Sequence, residues 1–298
     1  MQLPSDAALL EYYGGLGQDK TAATALASVL YDLENNIIID GKIGSIKENE
    51  RDMAMGHIKV LQKMDNYNRG HRELIVHDRG YPSLEYIKSF PVEIAYVMRV
   101  KEGFICVDEL KGAIDGWVKV GKSEVQVRAI LVPLSTGELE ILITNLTESE
   151  MEYEAFGELY HKRWGIETKY KELKQKLETE NFSGRLIDNI KQDFYAMLTV
   201  SNMLASCVRQ ANIEVQKQRE DSDNKYEYRV NINHAIGVFK DKLIRVMIEE
   251  DRTERLKLMR DLVRRMERRV VPIRPNRNVP RKKYSRKANF HHNHKSNC

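Results

Sequence analysis

The hydrophobic pattern of the chain changes its period once, near Thr147, and this change limits the folds that are possible. Before it, short apolar and β-branched stretches alternate with turn residues, which is typical of β-strands. After it, apolar residues recur with helical spacing as far as residue 269. One surface helix, predicted over 48–64, interrupts the strand-rich half. This order of elements predicts a mixed α/β core followed by a helical end.

The strand-rich half opens with a predicted antiparallel hairpin that turns at Glu34-Asn35-Asn36, with Asp32 at the edge of the turn. A short helix is predicted over 84–90, after the turn Arg79-Gly80-Tyr81-Pro82-Ser83. The predicted strands are 26–33, 37–43, 74–76, 92–100, 104–108, 125–132 and 139–145.

The helical half begins at Thr147, which has the spacing of a capping box with Glu150. The pattern predicts one helix of about 30 residues from there to Glu180, because Asn181, Ser183 and Gly184 stop it. The later predicted helices are 190–217, 231–250 and 252–269, with a polar linker at 219–228.

Positive charge is concentrated at the end of the chain. From Arg264 onward there are twelve Lys and Arg residues and one acidic residue, although the whole chain carries a net charge of only +4. Residues 270–298 contain prolines and few apolar residues, which predicts an extended, disordered basic arm. DNA is the natural partner of such an arm, although a solubilising tail has the same composition. The run His291-His292-Asn293-His294 has no acidic neighbours, which disfavours a metal site.

The composition excludes several classes of protein. No apolar run approaches the roughly 18 residues of a membrane span, and the N-terminus does not have the pattern of a secretory signal. The spacing of Cys106, Cys207 and Cys298 fits neither a metal site nor a redox pair. We therefore expect a cytoplasmic protein with reduced, structural cysteines.

Four polar residues in the first long helix share a narrow stripe. At about 100° per residue, Tyr160, Arg163, Glu167 and Lys174 lie within roughly 60° of each other. A carboxylate can bind a hard divalent ion, and cations on either side of it can contact phosphates. Helix faces rich in Glu and Lys are more often solvated surface with i, i+4 ion pairs, so helix geometry alone leaves both interpretations open.

A second candidate is Asp78, which follows the apolar run Leu74-Ile75-Val76 and precedes a glycine turn. The ends of buried strands are where α/β sheets present their active groups. Asp also favours turns for conformational reasons. The position of Asp78 alone therefore does not decide between a role in an active site and a structural role in the turn.

Together the two segments resemble a family. Tyr160, Arg163, Glu167 and Lys174 have the spacing Y-x2-R-x3-E-x6-K, which matches the signature of the insertion-sequence-four branch of bacterial DDE transposases. Asp78-Arg79-Gly80-Tyr81 resembles the region that carries the second catalytic aspartate of that branch. The resemblance implies a ribonuclease H-like catalytic core over 1–184 with a β-rich insertion at about 92–146, and a helical C-terminal region over 185–269.

The resemblance also implies a mechanism, a cofactor and partners. Asp78 and Glu167 would be catalytic ligands of a two-metal Mg²⁺ site, with Mn²⁺ as a substitute, that cleaves and joins DNA phosphodiesters. Tyr160, Arg163 and Lys174 would contact DNA, and Trp117 could stack on a flipped base, although a lone Trp more often belongs to a core. The partners would be double-stranded transposon-end and target DNA, and a second copy of the chain in a synaptic homodimer.

The first catalytic aspartate of the family has no clear counterpart. In the family it precedes a Leu-Pro pair on the opening strand, and here Leu3-Pro4 follows Met1 almost directly. We therefore expect the opening strand to lie upstream of Met1. Asp32 is a possible substitute beside a turn, and Asp40 a weaker one. The alternative function is a truncated, non-catalytic DNA-binding remnant that inhibits transposition. A third possible function is that of a host nuclease on the same fold. The long phosphate-binding stripe argues against it, because a simple nuclease has less need of such a stripe.

Overall fold

The structure is a computed structural model that describes residues 1–16, 22–64, 70–134, 138–176, 181–220 and 225–274. The helices in this part are α1 (Ala7–Tyr13), α2 (Glu50–Leu61), α3 (Leu84–Ser89), α4 (Ala155–Lys162), α5 (Trp164–Lys176), α6 (Ile187–Lys217), α7 (Ile232–Ile248) and α8 (Arg252–Glu267). The strands are β1 (Ala25–Asp32), β2 (Ile37–Ser45), β3 (Leu74–His77), β4 (Ala95–Arg99), β5 (Asp115–Lys119), β6 (Gln126–Pro133), β7 (Leu139–Thr144), β8 (Tyr228–Val230) and β9 (Val270–Pro272).

Short polar residues define where several helices begin. Their side chains accept hydrogen bonds from amides of the first turn, which would otherwise lack partners. These N-caps are Asp6 of α1, Asn49 of α2, Ser83 of α3, Asn231 of α7 and Asp251 of α8.

Five strands form the main sheet in the order β3-β4-β7-β6-β5. β3 and β4 are parallel, and the other neighbours are antiparallel. Alternate residues of β4 point to opposite faces, so Tyr96 and Met98 pack with α2 and α3 while Ala95 and Val97 pack with α4. Helices therefore cover both faces of the sheet beside β3, which ends directly before the candidate residue Asp78.

β1 and β2 form a separate two-stranded antiparallel sheet. Asp32 begins the turn between them by accepting hydrogen bonds from the amides of Glu34 and Asn35, both at 2.9 Å. His57 of α2 ties the helix to both strands, because its Nδ1 lies 2.7 Å from Asp40 and its Nε2 lies 3.0 Å from the Ser28 hydroxyl. This network sets the position of α2 over the hairpin.

Helices α6, α7 and α8 form the C-terminal part with the small sheet β8-β9. Their core contains buried apolar side chains from all three helices, including Leu204, Phe239 and Met266. The side chain of Asn202 on α6 also exchanges two hydrogen bonds of 2.8 Å with the backbone of Ile38, which attaches α6 to β2. None of the helices that the structure describes has the length and apolar character of a membrane span.

The structure corrects two predicted elements. Residues 104–108 were predicted as a strand, but Val107–Leu110 is a 3-10 helix and the strand of this region is β5. The predicted continuous helix over 147–180 is wrong, because the chain turns at 147–154 and forms α4 and α5 instead. The Glu150 carboxylate does accept a hydrogen bond of 2.8 Å from the Thr147 amide, which is one half of a capping box, but no helix follows directly.

Some of the observed helices and strands were not predicted from the sequence. α1 and β8 are additional, and β9 forms within the segment that was predicted to be a disordered tail from residue 270 onward. β9 pairs with β8, so an ordered strand reaches Pro272. Residues 275–298, which contain the rest of the predicted basic arm, lie outside the described residues.

Candidate active site

The predicted polar stripe lies at the junction of α4 and α5. The amide of Arg163 donates to the carbonyl of Tyr160, and the amide of Ile166 donates to the carbonyl of Arg163, both at 3.1 Å. These i to i+3 hydrogen bonds tighten the backbone between the two helices. The junction places Tyr160 and Arg163 beside the end of β3.

Arg163 is the centre of the site. Its terminal nitrogens lie 3.8 Å from the carboxylate of Asp78 and 3.3 Å from that of Glu167. The guanidinium also stacks between the rings of Tyr160 and Trp164, at 5.4 and 5.1 Å from their centroids. Although only 7% of Arg163 is exposed, its Nε has no hydrogen-bond partner among the residues that the structure describes. Arg163 is therefore a buried cation that contacts two carboxylates.

Asp78 stands directly after β3, where the chain leaves the sheet. Its carboxylate accepts a hydrogen bond of 2.7 Å from the amide of Arg79. Arg51 of α2 fixes the following turn by donating to the carbonyls of Tyr81 and Gly80, at 2.7 and 3.1 Å. The side chains of Asp78 and Glu167 remain 54% and 44% exposed, so both carboxylates are open to solvent and to a ligand.

Tyr160 lies behind the site. It is only 2% exposed, and its hydroxyl donates to the carbonyl of His77 at 3.5 Å. Burial raises its pKa well above the usual value for tyrosine. The sequence suggested a DNA contact for Tyr160, but in this conformation its ring supports Arg163 from the protein side and has almost no surface for a ligand.

Glu140 of β7 is a residue that the sequence analysis missed. It pairs with Arg99 at 3.2 Å, and its side chain is 12% exposed. Burial raises its pKa, an effect that the nearby Arg99 and Arg163 oppose and Asp78 reinforces. Glu140 therefore belongs to the electrostatic surroundings of Asp78 and Arg163. A strand that carries Glu between apolar residues gives no sequence signal for this role.

Of the other predicted residues, Asp32 lines the same cavity as Asp78, whereas Trp117 is distant from it. Trp117 lies on β5, four strands away from β3, or about 19 Å at the usual strand spacing. It is 42% exposed, and its indole donates to Glu148 at 3.1 Å. Asp32 is engaged in its turn, where its second oxygen also bonds Asn35 at 2.6 Å. Lys174 belongs to α5, but its side chain lies outside the described residues.

The donor set fits a hard divalent cation in part. Mg²⁺ is commonly bound through one or two carboxylates, with water and substrate phosphate as its remaining ligands, and Asp78 and Glu167 offer two such groups. Over the described ranges, no cluster of three or more Asp, Glu, His or Cys side chains has metal-binding geometry. The site therefore supplies a pair of carboxylates beside a fixed guanidinium, an arrangement suited to phosphate chemistry.

Comparison with known protein families gives a match. The family model described as the transposase DDE domain matches residues 14–203, which include β1 to β7, the two carboxylates and Arg163. A search of curated proteins found no match.

Proposed function

The chain belongs to the transposase DDE domain family, and we propose that it catalyses metal-dependent DNA cleavage and strand transfer at transposon ends. The observation that carries this proposal is the juxtaposition of Asp78 and Glu167 around Arg163, at 3.8 and 3.3 Å. We further propose that the chain belongs to the insertion-sequence-four branch and has a ribonuclease H-like core.

In this proposal Asp78 and Glu167 would hold Mg²⁺, whose chemistry when bound is the polarisation of phosphodiester and water oxygens. Arg163 keeps the two carboxylates apart and orients them, since it is buried, stacked and in contact with both. Its terminal nitrogens, which approach both exposed carboxylates, are donors for a non-bridging phosphate oxygen. Tyr160 positions Arg163, and Trp164 covers its other face.

The DNA would extend from this pair of carboxylates along α5 towards Lys174, and residues 275–298 would add sequence-independent phosphate contacts. Trp117 remains a proposed base-stacking residue, because it is exposed on an edge strand. Since Trp117 is distant from Asp78, it would serve a DNA segment beyond the cleaved bond or the second DNA end in a homodimer.

A cleavage assay on a duplex that carries the ends of the element tests the proposal. Asp78→Asn and Glu167→Gln should each lower cleavage with Mg²⁺ or Mn²⁺ by more than about a hundredfold, with DNA affinity within about threefold of the parent chain. Glu158→Gln is the matched control, because Glu158 is an exposed carboxylate on α4 outside the site, and its activity should be unchanged. DNA binding without any cleavage by the parent chain would instead identify a non-catalytic, inhibitory remnant.

A further inference from the structure

Helix α8 carries a row of arginines that the candidate active site does not use. Arg260, Arg264 and Arg268 follow one another at four-residue intervals, and all three are exposed. Arg268 is the C-cap of α8 and keeps a right-handed helical backbone, so the row continues to the end of the helix. At about 100° per residue the three side chains lie within about 80° of the helix circumference, and at about 1.5 Å per residue they span about 12 Å. These three residues form the arginine row of α8.

The opposite face of α8 explains why the arginine row points outward. Leu262 and Met266 are buried in the C-terminal core with apolar side chains of α6 and α7. They lie about 200° and 240° around the helix from Arg260. Because the burial of one apolar face fixes the rotation of an amphipathic helix, the fold holds the arginine row at the surface.

The acidic residues of α8 leave the positive charge of the arginine row in place. Asp261 pairs with Arg265 at 2.6 Å, and Glu254 pairs with Lys257 at 2.5 Å. Within the part of the chain that the structure describes, no arginine of the row forms an ion pair. Three exposed guanidinium groups on one ridge therefore remain available to an external anion.

The spacing of the arginine row fits the phosphate backbone of a duplex. A length of about 12 Å corresponds to three or four successive phosphates of one strand, at about 3.4 Å of duplex axis each. A guanidinium binds phosphate oxygens through two parallel N–H donors. The helix dipole favours cations only near the last turn, which accounts for Arg264 and Arg268 but leaves Arg260 without an explanation. A polyanion with regularly spaced charges explains all three positions.

The position of α8 in the chain connects the arginine row with the basic C-terminal segment. The helix is followed by β9, which pairs with β8. Residues 275–298 come directly after the described part of the chain and contain seven Lys and Arg residues and no acidic residue. One short strand thus separates two basic parts of the sequence, and the helix sets the direction of the first.

We infer that the arginine row of α8 is a binding surface for the phosphate backbone of duplex DNA, on a different element from the Asp78 and Glu167 site. This inference rests on the proposed function, because an enzyme that transposes DNA has to hold duplex beyond the cleaved bond. Phosphate contacts position a protein on the duplex without reading its sequence. The row therefore binds transposon-end DNA and target DNA alike and orients the C-terminal helices on the duplex.

Equilibrium binding of the full chain to a duplex of unrelated sequence, over a series of salt concentrations, tests the inference. The variant that combines Arg260→Gln, Arg264→Gln and Arg268→Gln should bind at least about tenfold more weakly at low salt, and its slope of log K against log salt should be flatter by about 2.7, or about 0.9 for each lost contact. Because Gln has nearly the helix propensity of Arg, circular dichroism and the thermal midpoint should match those of the parent chain.

Two matched variants separate the arginine row from the charge of the protein in general. Replacing all three arginines by Lys keeps the charge at the same positions and should leave the slope within about 0.5 of the parent value. The second variant combines Lys59→Gln, Lys88→Gln and Lys111→Gln, which removes the same charge from exposed positions on other elements. Its slope should change by less than about 1.

An unchanged slope in the Gln variant of the row would overturn the inference and leave the proposed function standing, since the parent chain would still bind and cleave DNA. Equal flattening by the dispersed lysine variant would also overturn it, because net charge rather than the row would then govern binding. Tighter binding of the parent chain to duplex RNA or to vesicles of anionic lipid than to duplex DNA would assign the row to another polyanion. A parent chain that binds no duplex would overturn both this inference and the proposed function.

Discussion

The guanidinium of Arg163 approaches the carboxylate of Asp78 to 3.8 Å, which joins the start of α5 to the end of β3. The same guanidinium lies 3.3 Å from Glu167. A cation that contacts both carboxylates screens their mutual repulsion, and it also competes with any metal ion that binds to them. Arg163 should therefore have opposite effects on metal affinity and on catalysis.

Replacing Arg163 by Met tests this balance, because Met keeps apolar contact with the rings of Tyr160 and Trp164 while removing the charge. We expect Mn²⁺ to bind severalfold more tightly in calorimetry, since the competing cation is gone. DNA cleavage should fall by at least about tenfold, because the phosphate donor is removed. Arg99→Met, which removes the partner of Glu140, should leave Mn²⁺ affinity within about twofold. Weaker Mn²⁺ binding by Arg163→Met would contradict the competition.

Strong local patterns allowed much of this structure to be predicted. α2, β3 and α6 were each predicted to within a few residues, because their apolar spacing is regular and their ends carry caps or turn residues. The closeness of Asp78 and Glu167 was expected only from the family resemblance, since no local pattern relates a strand end to a helix so distant in sequence.

The elements that escaped prediction depend on tertiary contacts. The helical pattern continues through Arg163, but the backbone tightens there where the side chain contacts Asp78 and two rings. β5 has a weak strand pattern, and it forms because Asp115 binds the buried Arg128 of β6 with two hydrogen bonds, at 2.8 and 2.5 Å. Such partners lie too far away in sequence, or are too ordinary in type, to be recognised beforehand.

Gly41 allows α6 to pack against β2. A Cβ at this position would lie 2.2 Å from Cδ1 of Leu198, which is itself buried. Gly41→Ala should therefore lower the free energy of unfolding by about 1–3 kcal/mol in urea denaturation. The matched variant is Gly237→Ala in α7, where an added Cβ meets nothing within 4 Å, and it should raise stability by about 0.5–1 kcal/mol. If Leu198→Ala did not reduce the cost of Gly41→Ala, steric overlap would not be its cause.

His57 should make the fold sensitive to mild acid. Burial lowers its pKa below 6.5, although the carboxylate of Asp40 opposes this effect. At pH values above 6.5 both the folded and the unfolded states carry a neutral His57. Below that value the unfolded state binds a proton first, so stability falls as pH decreases, by up to about 1.4 kcal/mol per pH unit. His57→Gln should reduce this slope between pH 6.5 and 5.5, and His71→Gln, at an exposed position, should not.

The basic residues at 275–298 should determine much of the salt dependence of DNA binding. This segment contains seven Lys and Arg residues and no acidic residue, and a truncation after Arg274 leaves the pairing of β9 with β8 intact. Its removal should weaken binding to any duplex and flatten the slope of log K against log salt by about 0.9 for each phosphate that the chain no longer neutralises. A variant with the same residues in scrambled order keeps the charge and should retain both affinity and slope. A truncated chain with the parent slope would leave this segment only a solubilising role.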